Sequence, residues 1–190
     1  ALGLTILLHC GGFVGYTITA GVIRDSYSMG TVALSGGFGV AGGQGGNGGD
    51  GGAGSGAGTG GTVGQAGARP VGYNANTING GGFVGYNIGT ISASYSLGDI
   101  SIVGGTGGAG GAGGNAGNGG AGGPSGAGGI GGAEGATAAP GNGGLIYAGG
   151  LVGYNFTAGT IQYSWSSSAV SALGGNGGSA GLAEIGRAHV

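Results

Sequence analysis

The sequence predicts an all-β chain, a β-solenoid of parallel β-helix-like coils interrupted by long glycine-rich inserts. Three observations predict it. The stretch Gly81-Gly82-Phe83-Val84-Gly85-Tyr86-Asn87 occurs three times, preceded by Gly11-Gly12-Phe13-Val14-Gly15-Tyr16 and followed by Gly149-Gly150-Leu151-Val152-Gly153-Tyr154-Asn155. The second glycines of the three copies stand 70 and 68 residues apart. A near-constant period marks a repeat architecture, in which each unit buries its apolar face only against its neighbours. Between the copies glycine recurs at every third position, and 63 of the 190 residues are glycine, against about 7% in average usage.

In chain order the repeat divides the sequence into coil one with a preceding strand (1–35), a glycine-rich insert (36–70) and coil two (71–103). A second insert (104–144), coil three (145–173), the start of a third insert (174–184) and a tail (185–190) follow. The opening segment Leu2 to Leu8 is apolar but lacks a basic flank, and reads as a strand of a preceding coil rather than a signal peptide. No run of 18 apolar residues exists, so no membrane span is expected. The tail Ile185-Gly186-Arg187-Ala188-His189-Val190 matches the translation of a sequencing adapter. With the missing initiator methionine, it suggests a fragment of a longer reading frame and is set apart from the fold.

Within a copy, Phe83-Val84-Gly85-Tyr86 is rich in residues that favour a pleated surface, and reads as a first short strand. Asn87-Ile88-Gly89-Thr90 carries turn chemistry, because Asn and Gly tolerate positive φ. Copies one and three are two residues longer here, which a loop accommodates and a strand does not. The continuation Ile91 to Leu97 alternates serine with larger side chains, the period of a half-buried strand. That reading places Ile91, Ala93, Tyr95 and Leu97 on the buried face and Ser92, Ser94 and Ser96 on the open one. Two short strands and a corner then make one coil. Stacking the coils forms ladders of Tyr16, Tyr86 and Tyr154, of Ile23, Ile91 and Ile161, of Tyr27, Tyr95 and Trp165, and of Val32, Ile100 and Val170.

The inserts carry their own period. Glycine occupies every third position from Gly105 through Gly135, and from Gly36 to Gly54 before a slip to Gly58, Gly61, Gly64 and Gly67. A collagen helix needs abundant proline, and this chain has three prolines. Two readings remain, a flexible loop and a bundle of polyglycine-II strands, which resemble polyproline II. Ordering about 30 residues costs on the order of 30–60 kcal/mol of backbone entropy. One insert alone therefore stays mobile, whereas several inserts leaving one edge of stacked coils can pair amide to carbonyl. In the packed case the every-third glycines lie at the contact, and the chain reverses near Pro124-Ser125.

Composition excludes several functions. There is no lysine, and the arginines stand only at positions 24, 69 and 187. No basic footprint for nucleic acid or anionic lipid exists. Cys10 is the single cysteine, so no intrachain disulfide forms, and it reads as a small buried residue. Gly56 to Gly61 satisfies G-x-G-x-x-G, but no strand enters it, no helix leaves it, and such a match is nearly inevitable in this composition. Gly45 to Asp50 begins a calcium nonapeptide, yet Gly52 stands where a large apolar residue belongs and no second copy follows. Asn155-Phe156-Thr157 fits a glycosylation sequon and reads instead as the ladder equivalent of Asn87. His9-Cys10 lacks partners for a metal site, and no repeated serine has a histidine beside it to activate it. No catalytic, cofactor-binding or metal-binding residues are assigned, and no cofactor is expected.

The pattern G-G-F/L-V-G-Y-N followed by G-T-I, S-Y-S, L-G and an aliphatic residue resembles the GLUG motif over 11–34, 81–103 and 149–173. That repeat is found in large bacterial surface and secreted proteins, including haemagglutinin-like adhesins and some immunoglobulin A peptidases. The departures are Thr17 for the first asparagine, Trp165 for the tyrosine and Ser167-Ser168 for Leu-Gly. The insert composition is similar to glycine-rich repeats of mycobacterial surface proteins. The resemblance implies a secreted or cell-surface bacterial protein that adheres or assembles. Its partner would be a host glycan, a cell surface or a sister repeat region, with no nucleic acid. A non-catalytic region of a larger secreted peptidase is the alternative. Ice or crystal binding ranks lowest, because the threonine ranks it calls for are missing.

Overall fold

The computed structural model describes residues 6–50, 52–55, 71–125, 127–133, 135–136 and 138–179. Several sequence features lie outside these residues: Gly56 to Gly61, the slipped glycines from Gly58 to Gly67, the start of the opening strand and the tail 185–190. The chain forms two compact units, the first comprising 1–39, 74–107 and 142–177, the second 40–73, 108–141 and 178–190.

The first unit is all β and consists of three stacked coils with five strands each. Coil one contributes β1 (Leu7–Gly11), β2 (Val14–Thr17), β3 (Val22–Arg24), β4 (Tyr27–Ser28) and β5 (Val32–Ser35). Coil two contributes β6 (Thr77–Gly81), β7 (Val84–Asn87), β8 (Thr90–Ser92), β9 (Tyr95–Ser96) and β10 (Ile100–Val103). Coil three contributes β11 (Ile146–Gly149), β12 (Val152–Asn155), β13 (Thr160–Gln162), β14 (Trp165–Ser166) and β15 (Val170–Leu173). Equivalent strands pair in five three-stranded parallel sheets, with the coil-two strand central in each. The fold is a β-solenoid.

Two apolar clusters fill the coils. Ile78, Ile100, Ile102 and Val32 form one, flanked by Leu8, Leu34, Ile146 and Ala148. Phe83, Val84 and Ile91 form the other, flanked by Val14, Ile23, Leu151 and Val152. Stacking supplies the burial that a single thin coil lacks, so coil two is the best enclosed. The motif's glycines are set by that crowding. A Cβ at Gly82 would collide with the carbonyl of Gly150 and stand 2.5 Å from the Ser96 hydroxyl. One at Gly85 would sit 2.5 Å from the Cys10 amide nitrogen and 2.7 Å from the Gly15 carbonyl oxygen.

Two expectations from the sequence are corrected here. A coil has five short strands rather than two, and the alternation from Ile91 to Leu97 does not run through. Asp25, Ala93 and Tyr163 occupy the same place in each coil, and all three have positive φ, at 50°, 47° and 50°. A left-handed residue turns the chain, so β8 ends before it, β9 begins after it, and the faces exchange. Ser94 is 1% exposed and Ser96 is fully buried, while Tyr27 and Trp165 are more than half exposed. The serines, not the aromatic rings, point inward. Their hydroxyls close the corner: Ser94 Oγ donates to the Ser92 carbonyl at 2.8 Å, and Ser26 and Ser164 do the same to Arg24 and Gln162.

The second unit contains most of the glycine-rich chain. Its hydrogen bonds recur every third residue. The amides of Gly42, Gly45, Gly48 and Gly54 donate to the carbonyls of Ala109, Ala112, Asn115 and Ala121. Those of Gly129, Gly132 and Gly135 donate to Gly120, Gly117 and Gly114, so the chain has reversed. The reversal is a turn at Pro124-Ser125. Gly110 donates instead to Ser179, so the 108–121 leg bonds to a third neighbour as well. Gly108, Gly111, Gly114, Gly117 and Gly120 are all buried, as glycines at a contact must be. This multiplicity offsets the entropy that a lone insert could not. Among the described residues no helix is long and apolar enough to cross a membrane.

Candidate binding face

The side chains with chemistry to offer belong to the coils, and strand register places them. Tyr16, Tyr86 and Tyr154 are paired positions in β2, β7 and β12. Their rings stack with centroids 5.3 Å apart. Tyr27, Tyr95 and Trp165 make a second stack, at 5.3 and 5.0 Å with ring planes within 10° of parallel. Ile23, Ile91 and Ile161 are in register in β3, β8 and β13, with Ile91 fully buried. In coil two each ring is covered on both faces by its neighbours, which leaves the edge and hydroxyl outward. Such a row suits hydrogen bonding to a polyol along an uncharged strip better than face-on stacking.

The tyrosine ladder of β2, β7 and β12 has flanking residues that the repeat pattern did not single out. His9 lies 4.9 Å from the Tyr86 ring and 5.6 Å from Tyr16. Tyr147 meets Tyr154 edge to face at 4.9 Å, and Phe156 lies 6.1 Å from Tyr86. His9, Asn79 and Tyr147 are register partners in β1, β6 and β11. The signal was available: each stands seven residues before the ladder tyrosine of its own copy. The residue types differ, so a motif search passes over them. Asn79 Nδ2 and His9 Nδ1 are 2.9 Å apart, which makes that ring nitrogen the acceptor in the neutral imidazole. Burial lowers the His9 pKa below its ordinary value and so favours this form. Tyr86 titrates above the usual tyrosine range, first through burial and then through Tyr154 and Tyr16 on either side.

A polar ladder runs beside the rings. Thr17 Oγ1 donates to Asn87 Oδ1 at 2.5 Å, and Asn87 Nδ2 donates to Asn155 Oδ1 at 2.7 Å. Asn87 Oδ1 also accepts the Gly89 amide at 3.2 Å, which fixes the turn. Threonine at position 17 therefore continues the ladder, its hydroxyl standing in for an amide donor. Asn155 spends its own amide on the Gly159 carbonyl at 2.9 Å, as a ladder residue. Ser168, where the pattern has glycine, stays in the stack through Ser166 and Ser96.

Other candidates resolve simply. Cys10 is a free, half-buried thiol. Asp50 Oδ1 accepts the Asn118 amide at 2.9 Å, and Asn47 does the same for Asn115, so the half-motif at 45–50 braces a leg. Among the described residues no three His, Cys, Asp or Glu side chains converge. A cavity of about 300 Å³ in the first unit is lined by Asn74, Ala75, Thr77, Asn142, Gly143 and Leu145. Comparison with family models, with curated proteins and with solved structures finds no match for this chain.

Proposed function

We propose that this chain is a structural and adhesive repeat region of a bacterial secreted or cell-surface protein. The supporting observation is the outward tyrosine row of Tyr16, Tyr86 and Tyr154, held at 5.3 Å spacing by in-register strands. A scaffold of this kind pre-orders its contact groups, so binding does not have to immobilise them. The motif spacing supports a GLUG-like repeat, and the hydrogen-bond period of three supports polyglycine-II legs. The partner class is a glycan or a glycan-bearing surface, met through hydroxyl groups with no charge involved.

The test removes the hydroxyls and keeps the rings. Tyr16→Phe, Tyr86→Phe and Tyr154→Phe together should leave the fold and melting temperature near the parent's. Binding to immobilised bacterial and host glycans, and to whole cells, should fall at least tenfold. Unchanged binding by the triple variant would remove this face from the account.

A further inference from the structure

We propose that the row of Tyr16, Tyr86 and Tyr154 holds an uncharged, straight glucan chain of the cellulose class, laid along the solenoid with one sugar per coil. The inference rests on the adhesive reading above and adds to it the linkage and charge of the glycan. Coil two, which has a coil on each side, shows where the row is open. Both faces of the Tyr86 ring are covered by Tyr16 and Tyr154, yet the residue is still partly exposed, so the row opens sideways to solvent. The phenol groups of the three tyrosines have no hydrogen-bond partner among the described residues, which leaves them to a ligand.

The period selects the linkage. The rings repeat at 5.3 Å, on strands that repeat at about 4.8 Å. A pyranose ring linked equatorially at opposite corners advances about 5 Å per sugar in a straight chain, close to the strand repeat. Over three coils the two periods drift apart by about 1 Å, which rotation of a hydroxyl absorbs. Axial bonds, or bonds at corners that are not opposite, curl a polymer away from a straight row.

Hydroxyl chemistry fits the same chain. Each sugar in it is turned over relative to the last, so one edge presents the primary hydroxyl and the pair of ring hydroxyls in alternation. A tyrosine hydroxyl both donates and accepts, and so meets either edge. The stack of Tyr27, Tyr95 and Trp165 suits this less, because the indole donates and cannot accept. A bulky group at the second carbon would fall against every second tyrosine, so the unsubstituted polymer fits better than an acetamido sugar. The strands that carry the row and the ladder beside it, β1, β2, β6, β7, β11 and β12, contain no Lys, Arg, Asp or Glu. A uronate chain would find no counter-charge there, and burial disfavours the charged form of His9. Tyr147 and Phe156 border the row and give the C–H faces of the sugars an apolar surface.

The experiment titrates the full chain with soluble oligosaccharides by calorimetry. Cellohexaose should bind at least tenfold tighter than maltohexaose, laminarihexaose, chitohexaose or an oligogalacturonate of equal length. Affinity should rise from cellobiose to cellotetraose and then level off, since the row offers three positions. Tyr86→Phe, which keeps the ring stack, should weaken cellotetraose binding at least fivefold. Tyr163→Phe, an 89% exposed tyrosine outside the row, should leave it unchanged. Glycan binding with no preference for the straight glucan, or with no dependence on its length, would overturn this proposal and leave the adhesive reading standing. An equal loss in Tyr163→Phe would overturn the placement on this row. Failure to bind any of these oligosaccharides or the immobilised bacterial and host glycans would overturn both readings.

Discussion

Replacing Ser94 by aspartate should cost far more stability than replacing Tyr95, although the ring is several times larger. Ser94 is 1% exposed, its hydroxyl donates to the Ser92 carbonyl at 2.8 Å, and its oxygen accepts the Ser26 amide at 3.3 Å. An ionised aspartate cannot donate, so the Ser92 carbonyl is orphaned, at about 1–3 kcal/mol. The carboxylate must also be held in the interior or take up a proton there. An upward pKa shift of about 3 units corresponds to about 4 kcal/mol at neutral pH. The total is on the order of 5–7 kcal/mol, enough to unfold many domains outright. Tyr95→Asp instead loses two ring stacks, at about 0.5–1.5 kcal/mol each, and leaves its charge at a half-open site. Thermal melts followed by circular dichroism read the difference. One kcal/mol moves the midpoint by about 2–4 °C in a chain of this size, so Ser94→Asp should fall by 10 °C or more. Acidification to about pH 4 should restore part of that loss, because the protonated carboxyl can donate again. Equal losses, or a larger loss for Tyr95→Asp, would refute the inward placement of the serines.

In the glycine-rich legs, a Cβ at Gly114 would collide with the Gly46 carbonyl. Gly114→Ala should therefore cost about 1–3 kcal/mol, while Ala112→Val on the same leg changes proteolytic susceptibility far less. At the corner, Ala93 holds φ at 47°. Ala93→Gly relieves about 1 kcal/mol of left-handed strain, and the melting temperature should hold or rise by a few degrees despite the added chain freedom; a fall would indicate that the corner is not strained. His9 has its folded-state pKa lowered by burial, so the unfolded chain takes up the proton first as pH falls. Stability should be fully present above about pH 6.5 and decline below it. His9→Asn, which keeps an acceptor for Asn79, should flatten the melting profile across that window.

Much of the coil was legible in the sequence because stacking forces like onto like. Threefold recurrence of one motif fixed which residues would meet, and Tyr86 and Ile91 stand where the spacing put them. The facing of the rings was not legible. Period-two reasoning assumes a continuous strand, and nothing in Asp25, Ala93 and Tyr163, three unlike residues, announces a shared left-handed corner. Serine inside and tyrosine outside inverts the usual preference. It works here because Ser26, Ser94 and Ser164 each donate to a carbonyl two residues back, and Ser96 meets the Ser168 hydroxyl. The legs were legible in period, and Pro124-Ser125 in place. Whether they would order could not be read from one insert, since the partners that satisfy Gly42 and Gly45 lie 67 residues away. On the tyrosine face, the sequence weighed His9 only as half a metal site and passed over Tyr147, because their shared ladder partner is an asparagine.

The central claim is that successive coils stack in parallel, in one register. The most direct measurement is cross-linking across β5 and β10, where Ala33 pairs with Ser101 and both are exposed. Adjacent strands hold paired Cα atoms about 4.8 Å apart, within reach of a disulfide. In a Cys10→Ala background, Ala33→Cys with Ser101→Cys should close an intramolecular disulfide under mild oxidation and leave the melting temperature unchanged or higher. Ala33→Cys with Ile102→Cys should not close, because a one-residue slip turns the second thiol to the opposite face. Closure of the slipped pair, or closure of neither, would contradict the stacked solenoid.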